Sequence, residues 1–340
     1  MQAICEVEKL PRQTIYRVAG HALLVEAQDP WAANVIEKLF EGWYLIPDGM
    51  AKEEPSAPAI VIRSAVKPPQ IPAGLHEFEI AGGGTCYTDG KISYIDIEGS
   101  IVAVDLPGND AVEVWTNGPL EIQSPALTRV VTYALAAALR RRRLFELHSG
   151  AVIHPESEKG VLIIGPSGSG KSTLTVQLAA AGWSFLTDDV LLLSAECAEV
   201  KAWPLRRCFA ITSETFAASN FLQTRTSLDY LKAQRDEKKQ FVPHGVFDGK
   251  FKENCIPRTL FFSQLGGGDH SHVFPLSSGE TMARLIRMNP WSCYDRSTAA
   301  EHLAVLSALV KQSRGYSVLA GKDLLDPQIS ASLIASHTLN

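Results

Sequence analysis

The segment that most constrains the fold of this chain spans residues 165–172. It reads GPSGSGKS and fills the pattern GxxxxGK[ST] without a gap. The pattern predicts a short apolar strand before it, Val161–Ile164, and a helix after it, Lys171–Ala181, with Gly182 as terminator. Glycines let backbone amides turn inward, and the helix N-terminus adds partial positive charge. A glycine-rich turn without a ligand is the alternative, but the flanking strand and helix favour a phosphate-binding loop.

The loop supplies candidate ligands for the phosphates of a nucleotide. The Lys171 ammonium is expected to reach the β- and γ-phosphates, and the Ser172 hydroxyl is expected to take a place on Mg²⁺. The predicted nucleotide-binding residues are Gly165, Ser167, Gly168, Ser169, Gly170, Lys171, Ser172 and Thr173.

Two adjacent acids, Asp188 and Asp189, follow the next predicted strand, Phe185–Thr187. Neighbouring strands of a parallel sheet end on the same side, so both acids should face the phosphates. One carboxylate can accept a proton from an attacking hydroxyl while its neighbour, or both, holds Mg²⁺. Two adjacent anions also repel, which raises one pKa unless a metal offsets the repulsion. The alternative is a pair that ends a strand in solvent; the nearby phosphate loop favours the functional interpretation.

Several short segments together resemble a known family. The family is HPr kinase/phosphorylase, whose kinase domain this chain resembles in five segments: 148–152 (HSGAV), 160–165 (GVLIIG), the phosphate loop, 182–183 (GW) and 186–189 (LTDD). The likeness covers residues 145–195 well and the remainder of the C-terminal half loosely. It implies a fold related to phosphoenolpyruvate carboxykinase. It also implies an enzyme that uses ATP and Mg²⁺ to phosphorylate a serine hydroxyl.

The resemblance also implies residue roles by position. Asp188 would be the general base for the acceptor hydroxyl, and Asp189 would assist the metal beside Ser172. Lys171 and Ser172 would hold the phosphates, and His148 would stand near the γ-phosphate. Taken without the resemblance, a histidine is more often a packed or capping residue than a catalytic one.

One part of the family pattern is missing. The acidic-x-Arg-Gly signature that follows the aspartates is replaced here by residues 203–208, WPLRRC. With this departure, the sequence resembles HPr kinase/phosphorylase itself less than the HPr-kinase-like proteins of bacterial biosynthetic clusters. Some of those proteins look like kinases for serine in a precursor peptide. Candidates for a charge clamp on the transferring phosphoryl group are Arg206, Arg207, Lys238 and Lys239. Solvation is the alternative for each.

The first 120 or so residues are predicted to form mainly strands and turns. The predicted strands are Tyr16–Glu26, Ala59–Arg63, His76–Ile80 and Lys91–Leu106. Asp89-Gly90 and Asn117-Gly118 suit tight hairpins. One helix, capped by Asp29, is predicted from an apolar stripe at Trp31, Val35, Ile36, Leu39 and Phe40. Residues 47–58 are predicted to form a solvated loop.

A long helix is predicted over Pro125–Arg143 with Ser124 as its cap, and a domain boundary is predicted near it. Its last residues, Arg140 to Arg143, could form a nucleic-acid patch, but cations at a helix C-terminus also complement the helix dipole, and this second interpretation is favoured. Further strands at Val190–Leu193 and Leu260–Leu265 and a helix at Ala299–Val310 follow. The predicted fold is α/β. The chain is predicted to contain three parts: a β-rich N-terminal domain (1–123), a connecting helix (124–147) and a C-terminal P-loop domain of HPr kinase/phosphoenolpyruvate carboxykinase type (148–340).

Two further motifs have alternative interpretations. Residues 276–280, LSSGE, resemble the signature of ABC ATPases, but no apolar strand ending in Asp-Glu follows. A capping box of Ser277 and Glu280 is favoured instead. Residues 269–272, DHSH, could be half of a metal site, but they lack a partner pair at ligand spacing, so a surface loop is favoured.

Composition limits the partners and the location. The net charge of −5 disfavours nucleic acid and anionic membranes. The six cysteines are scattered, which predicts reduced thiols. The sequence shows no signal-peptide pattern, and its longest apolar stretch, Val130–Leu139, is too short to span a bilayer. These features predict a cytoplasmic protein. The sequence leaves open whether the protein forms a homo-oligomer.

Three functions are consistent with these observations. The first is a kinase whose acceptor is a hydroxyl of a peptide, a protein or a small molecule. The second is an ATPase or nucleotide switch in which water is the acceptor or nothing reacts. The third is a scaffold whose β-rich half binds a peptide while ATP only stabilises the fold.

Overall fold

In a computed structural model the chain divides into two compact units. The first unit comprises residues 1–142 with 295–297, and the second comprises 143–294 with 298–340. The structure describes residues 11–28, 30–43, 46–47, 57–64, 67–80, 83–116, 124–196, 199–206, 209–226, 232–233, 238–241, 246–247 and 250–338. The predicted cap Asp29, the turn Asn117-Gly118 and most of the predicted loop 47–58 lie outside these residues.

The first unit is built on a nine-stranded mixed sheet with strand order β3-β1-β2-β4-β9-β8-β7-β6-β5. The pairs β2/β4 and β4/β9 are parallel, and the other pairs are antiparallel. The strands are β1 Arg12–Val18, β2 His21–Ala27, β3 Ile46–Pro47, β4 Ile60–Ser64, β5 His76–Glu79, β6 Thr85–Thr88, β7 Ser93–Ile97, β8 Ser100–Val104 and β9 Val112–Thr116. The helices are α1 Pro30–Trp43 and α2 Pro125–Arg140.

Two of the predicted strands are hairpins, so the prediction of one continuous strand is wrong at both places. β1 turns into β2 at Ala19-Gly20, with φ angles of 48° and 80°. β7 turns into β8 at Glu98-Gly99, with φ angles of 54° and 81°. Two positive φ angles match the primed turns whose twist suits antiparallel strands. Alanine and glutamate seldom take the first of these positions, which hides the turns in the sequence. The hairpin predicted at Asp89-Gly90 is confirmed between β6 and β7.

Helix α2 begins as predicted but ends three residues early. The Ser124 hydroxyl accepts a hydrogen bond from the Leu127 amide at 3.4 Å. The helix ends at Arg140, and Arg143 adopts a positive φ of 60°. The guanidinium groups of Arg141 and Arg142 donate to backbone carbonyl oxygens of the last turn at 3.0 and 3.1 Å. These bonds agree with the interpretation that the cations complement the helix C-terminus.

The second unit contains an eight-stranded mixed sheet with order β14-β13-β10-β11-β18-β20-β19, in which β12 also pairs with β10. A small sheet has the order β15-β17-β16. The strands are β10 Phe145–Ile153, β11 Gly160–Ile164, β12 Ser184–Thr187, β13 Val190–Glu196, β14 Glu199–Pro204, β15 Phe209–Thr212, β16 Lys232–Ala233, β17 Lys238–Phe241, β18 Pro257–Leu265, β19 His272–Leu276 and β20 Arg314–Ala320. The helices are α3 Lys171–Ala180, α4 Ser213–Ala218, α5 Asn220–Arg225, α6 Ser278–Met288, α7 Trp291–Tyr294, α8 Ala299–Gln312 and α9 Pro327–Thr338.

Helices cover both faces of the large sheet in this unit. On β11, Val161 and Ile163 belong to a core cluster with residues of α3 and α9. Leu162 and Ile164 belong to a second cluster with residues of α6 and α8. Side chains alternate across a strand, so a continuous apolar run such as 161–164 is buried on both sides. This arrangement confirms an α/β architecture with a helix-covered sheet.

Local signals of the second unit are also confirmed. Gly182 ends α3 with a φ of 101°, and its amide bonds the Ala179 carbonyl oxygen at 3.1 Å. Ser277 and Glu280 form the predicted capping box of α6. Among the described residues, no group of three His, Cys, Asp or Glu side chains could hold a metal ion. No helix in the described part of the chain is long and apolar enough to span a membrane.

Candidate active site

The predicted phosphate loop joins β11 to α3 in the second unit. Gly168 and Gly170 adopt positive φ angles of 80° and 88°, which glycine takes without steric cost. A Cβ on Gly165 would stand 2.7 Å from the Ser263 carbonyl oxygen of the parallel neighbour β18. The Ser263 hydroxyl in turn donates to the Ser169 carbonyl oxygen at 2.7 Å. The loop therefore owes its tight course to glycine conformation and to a brace from β18.

Two polar side chains of the loop suit a bound anion. The Lys171 ammonium is buried and donates to the Pro166 carbonyl oxygen at 2.8 Å, so it lies across the loop. The Ser169 hydroxyl is buried and has no hydrogen-bond partner within the described residues. A buried hydroxyl without a partner carries a desolvation cost that an anionic oxygen would relieve. The loop is thus shaped and charged for phosphate.

The two aspartates lie where the chain passes from β12 to β13. Both strands run antiparallel to β10, with Thr187 opposite Ala151 and Val190 opposite His148. Between them, the Ser149 amide donates to the Asp189 carbonyl oxygen at 2.8 Å. The expectation that this acid-bearing strand neighbours β11 is wrong, because antiparallel β10 lies between them. β12 still points in the same direction as β11, since both are antiparallel to β10.

Asp188 is completely buried. Its Oδ2 accepts a hydrogen bond from the Ala210 amide at 2.9 Å, whereas Oδ1 has no partner among the described residues. The Ser172 hydroxyl donates to the Asp188 backbone carbonyl oxygen at 3.4 Å. Burial raises the pKa of Asp188 to about 6, and the neighbouring Asp189 carboxylate adds to the rise. Burial therefore favours the protonated form of this carboxyl.

Asp189 has the opposite electrostatic environment. Its Oδ1 lies 3.1 Å from His148 Nε2, and its Oδ2 accepts a hydrogen bond from Arg206. Burial opposes ionisation, but the charges of Arg206 and His148 outweigh burial and lower the pKa of Asp189. The pKa values of the two adjacent carboxyls are thus shifted in opposite directions. Such opposite shifts are typical of the acid and base residues of active sites.

A cleft of about 430 Å³ opens above the loop and brings most of the predicted residues together. The predicted residues that line it are Ser167, Gly168, Gly170, Lys171, Ser172, Thr173, His148 and Asp189. Three other predicted residues do not line it: Gly165, Ser169 and Asp188. Arg206 reaches the cleft through its bond to Asp189.

The clamp candidates are only partly described. Arg207 lies outside the described residues. The backbone of Lys238 pairs with Thr212 and that of Lys239 with Ile211, both of which line the cleft. The side chains of these lysines are not among those described. Strand pairing therefore places the backbone of both residues beside two residues that line the cleft.

Sequence reasoning missed the hydroxyl-rich wall of the cleft. The Thr215 hydroxyl lies 2.8 Å from that of Thr173 and 3.1 Å from that of Thr212. Glu214 lies on the same wall. A local signal was available, because Thr212 caps α4 by accepting from the Thr215 amide. The meeting with Thr173 of α3 depends on tertiary packing and has no signal in the sequence.

Comparisons with known proteins find similarity among solved structures. No protein-family model matches the chain, and no curated protein matches it. The chain is similar to a solved structure described as the Hpr(Ser) kinase/phosphatase from Coxiella burnetii, at 14% sequence identity and a TM-score of 0.32. The similarity covers 57% of this chain and 96% of that chain.

Proposed function

We propose that this chain is a kinase that transfers the γ-phosphate of ATP, with Mg²⁺, to a hydroxyl of a peptide, a protein or a small molecule. A serine hydroxyl is the first choice. The observation that carries the proposal is the cleft, where a glycine-shaped loop with a buried lysine lies beside Asp189, and where the buried Asp188 next to it has a pKa shifted in the opposite direction. Positioned charges and a proton acceptor are the main requirements of phosphoryl transfer.

The proposed reaction uses a magnesium ion, for which the cleft offers a hydroxyl and a carboxylate oxygen. Ser172 and Asp189 would hold it, since hydroxyl and carboxylate oxygens are the ligands that Mg²⁺ prefers. Asp188 precedes Asp189 in the chain, and its buried Oδ1, without a partner among the described residues, is an oxygen that the ion could take instead of the acceptor. When bound, the ion would neutralise charge on the phosphates.

The remaining steps belong to the side chains of this protein. Lys171 would orient the outer phosphates from the start of α3, with the loop amides beneath them. His148 and Arg206 hold Asp189 in one orientation through contacts on its two oxygens. Asp188 would take the proton of the acceptor hydroxyl, a task suited to a carboxyl whose pKa lies near 6.

The burial of Asp188 sets a condition on this role. Its carboxyl is covered where the Ala210 amide binds Oδ2. The other oxygen, Oδ1, is buried as well, so an acceptor hydroxyl reaches it only when the atoms that cover it move aside. Without that movement, Asp189 is the carboxylate that an acceptor in the cleft would meet. The experiment below, extended to single variants of both acids, separates the two roles.

The direct test is a transfer assay with γ-labelled ATP and Mg²⁺. Acceptors should include free serine and serine-containing peptides encoded by neighbouring genes. The proposal expects label on an acceptor. Label released only as free phosphate indicates a hydrolase with water as acceptor, and neither product in the presence of tight ATP binding indicates a nucleotide-stabilised binding protein. Either of these results contradicts the kinase.

A further inference from the structure

The order of strands places different chemistry on the two sides of the phosphate loop. On one side of β11 lies β10 with His148, followed by the β12–β13 junction with Asp189. On the other side lie β18 and then β20, which end at Leu265 and Ala320. Adjacent strands are about 4.8 Å apart, so each side extends roughly 10 Å from the loop. The acids and the ends of β18 and β20 are therefore at opposite ends of the cleft.

The second side is apolar, and we call it the apolar flank. It consists of the cleft-lining residues Leu265, Ala320, Gly321, Leu324 and Leu325. Leu265 is 61% exposed and Leu325 is 37% exposed, and both are among the few large apolar side chains at the described surface. A Cβ on Gly170 would stand 3.3 Å from Leu265 Cδ2, so this leucine lies over the first turn of α3. Exposed apolar side chains gathered in a cleft are typical of a ligand-binding surface.

The backbone of the flank is already hydrogen-bonded within the protein. The Gly266 amide donates to the Ala320 carbonyl oxygen at 2.8 Å, and the Gly321 amide donates to the Ser271 hydroxyl at 2.8 Å. The Lys322 amide donates to the Gly268 carbonyl oxygen at 3.0 Å. Ser271 belongs to the predicted surface loop 269–272, which thus braces the flank. A ligand at the flank meets leucine side chains more than free amide donors.

We propose that the apolar flank is the subsite for the base of the nucleotide, and that it holds a purine by apolar contact with little hydrogen-bond readout. This inference rests on the proposed function. A triphosphate seated on the loop has its reactive end beside the acids, so the nucleoside must leave toward β18 and β20. Recognition by contact alone separates similar ligands by small factors, whereas hydrogen-bonded sites separate them by large ones. The flank should therefore bind ATP and GTP with similar affinity.

Calorimetric titrations with Mg²⁺ and three probes test the inference: ATP, GTP and inorganic tripolyphosphate. The variants are Leu265→Asn and Leu325→Asn. Ile329→Asn on α9 is the matched control, because Ile329 is 46% exposed and does not line the cleft. We expect about tenfold weaker binding of ATP and GTP to both flank variants and unchanged binding of tripolyphosphate, as removal of one apolar contact would produce. The control should bind all probes as the unaltered protein does.

Three results would overturn the inference. The first is equal loss of ATP and tripolyphosphate binding in the flank variants, which places the leucines in the phosphate site. The second is unchanged ATP binding in both variants. The third is a preference between ATP and GTP above about a hundredfold, which requires hydrogen-bond readout. If the unaltered protein binds none of the probes, the proposed function itself fails and the base subsite fails with it, so the two failures are distinguishable.

Discussion

Each unit of the protein contains a buried carboxylate paired with arginine, and the surroundings of the two differ. In the first unit, Asp295 Oδ2 lies 2.8 Å from Arg140 Nε and 3.0 Å from Arg141 Nη1. The Ser297 hydroxyl donates to its Oδ1 at 2.8 Å. Burial opposes ionisation of Asp295, but the two arginines outweigh it and lower its pKa to about 2. Both carboxylate oxygens are satisfied, so this cluster is a stable ion pair.

In the second unit, Asp189 is paired in a similar way with Arg206 and His148, but it has Asp188 as its neighbour in the chain. The pKa of Asp188 is raised to about 6, and its Oδ1 lacks a partner within the part of the chain that is described. An arginine–aspartate pair alone therefore does not indicate a catalytic site. A catalytic site is indicated when a second carboxyl beside the pair has an oxygen without a hydrogen-bond partner.

The largest expected effect comes from Asp188→Asn. Asparagine keeps an oxygen for the Ala210 amide but cannot take a proton. Transfer to an acceptor should therefore fall by about 10²–10⁴-fold, while ATP affinity stays within a few-fold. Lys171→Ala, in contrast, should weaken both binding and turnover. Steady-state transfer rates and calorimetric titration with ATP check this.

Asp189→Asn is the matched comparison for that measurement. If transfer survives Asp188→Asn at nearly the original rate and is lost in Asp189→Asn with ATP binding retained, then Asp189 is the base. In that case Asp189, which lines the cleft, takes the proton of the acceptor, and Asp188 does not need to be uncovered.

Asp295→Asn should have its effect on stability. The change removes the negative charge that lies beside Arg140, which is 2% exposed, so the free energy of unfolding should fall by about 3–5 kcal/mol. Denaturant unfolding followed at pH 7 measures the loss. Asp105→Asn is the control, because Asp105 contacts the same Arg141 but is 31% exposed and should cost less than about 1 kcal/mol. Equal losses in the two variants would contradict a special role for Asp295.

The two carboxyls should also differ in the pH dependence of stability. The pKa of Asp188 is raised from 3.8 to about 6, so its ionisation disfavours the folded state as the pH rises from about 4 to 6. Asp188→Asn should therefore increase the free energy of unfolding of the metal-free protein at pH 7.5, by at most about 3 kcal/mol, and have little effect below pH 4. The lowered pKa of Asp295 acts in the opposite direction, because its contribution is present above pH 3.8 and is lost as the pH falls toward 2. Unfolding at pH 4 and at pH 7.5 measures both trends, and a loss of stability at pH 7.5 in Asp188→Asn would be the wrong sign.

The smallest expected effect is that of Ser297→Ala. It removes one hydroxyl donor from Asp295 at an exposed position and leaves both arginines in place. The free energy of unfolding should decrease by about 0.5–1 kcal/mol. The same denaturant titration measures it. A decrease as large as that of Asp295→Asn would show that the hydroxyl, not the arginines, stabilises the carboxylate.

Sequence reasoning succeeded where the determining residues are contiguous. The confirmed predictions are the strand before the glycine-rich loop 165–172, the helix after it, the Gly182 terminator and the capping box of Ser277 and Glu280. It failed at the turns Ala19-Gly20 and Glu98-Gly99, because a residue other than Gly, Asn or Asp takes the first positive φ position. The helix cap at Ser124 was predicted correctly, whereas the end at Arg140 was not, because a run of arginines has no termination signal.

Short stretches of this sequence were enough to predict the glycine-rich loop 165–172, the alternation of strands and helices around it, and the two adjacent acids after β12. These features depend on backbone conformation and hydrogen bonds within a few residues. Tertiary packing was needed to learn that antiparallel β10 separates β12 from β11, that Asp188 is buried while Asp189 lines the cleft, and that Leu265 and Leu325 line the same cleft. Each of these depends on contacts between residues far apart in the chain, and such contacts are set by the packing of the whole unit.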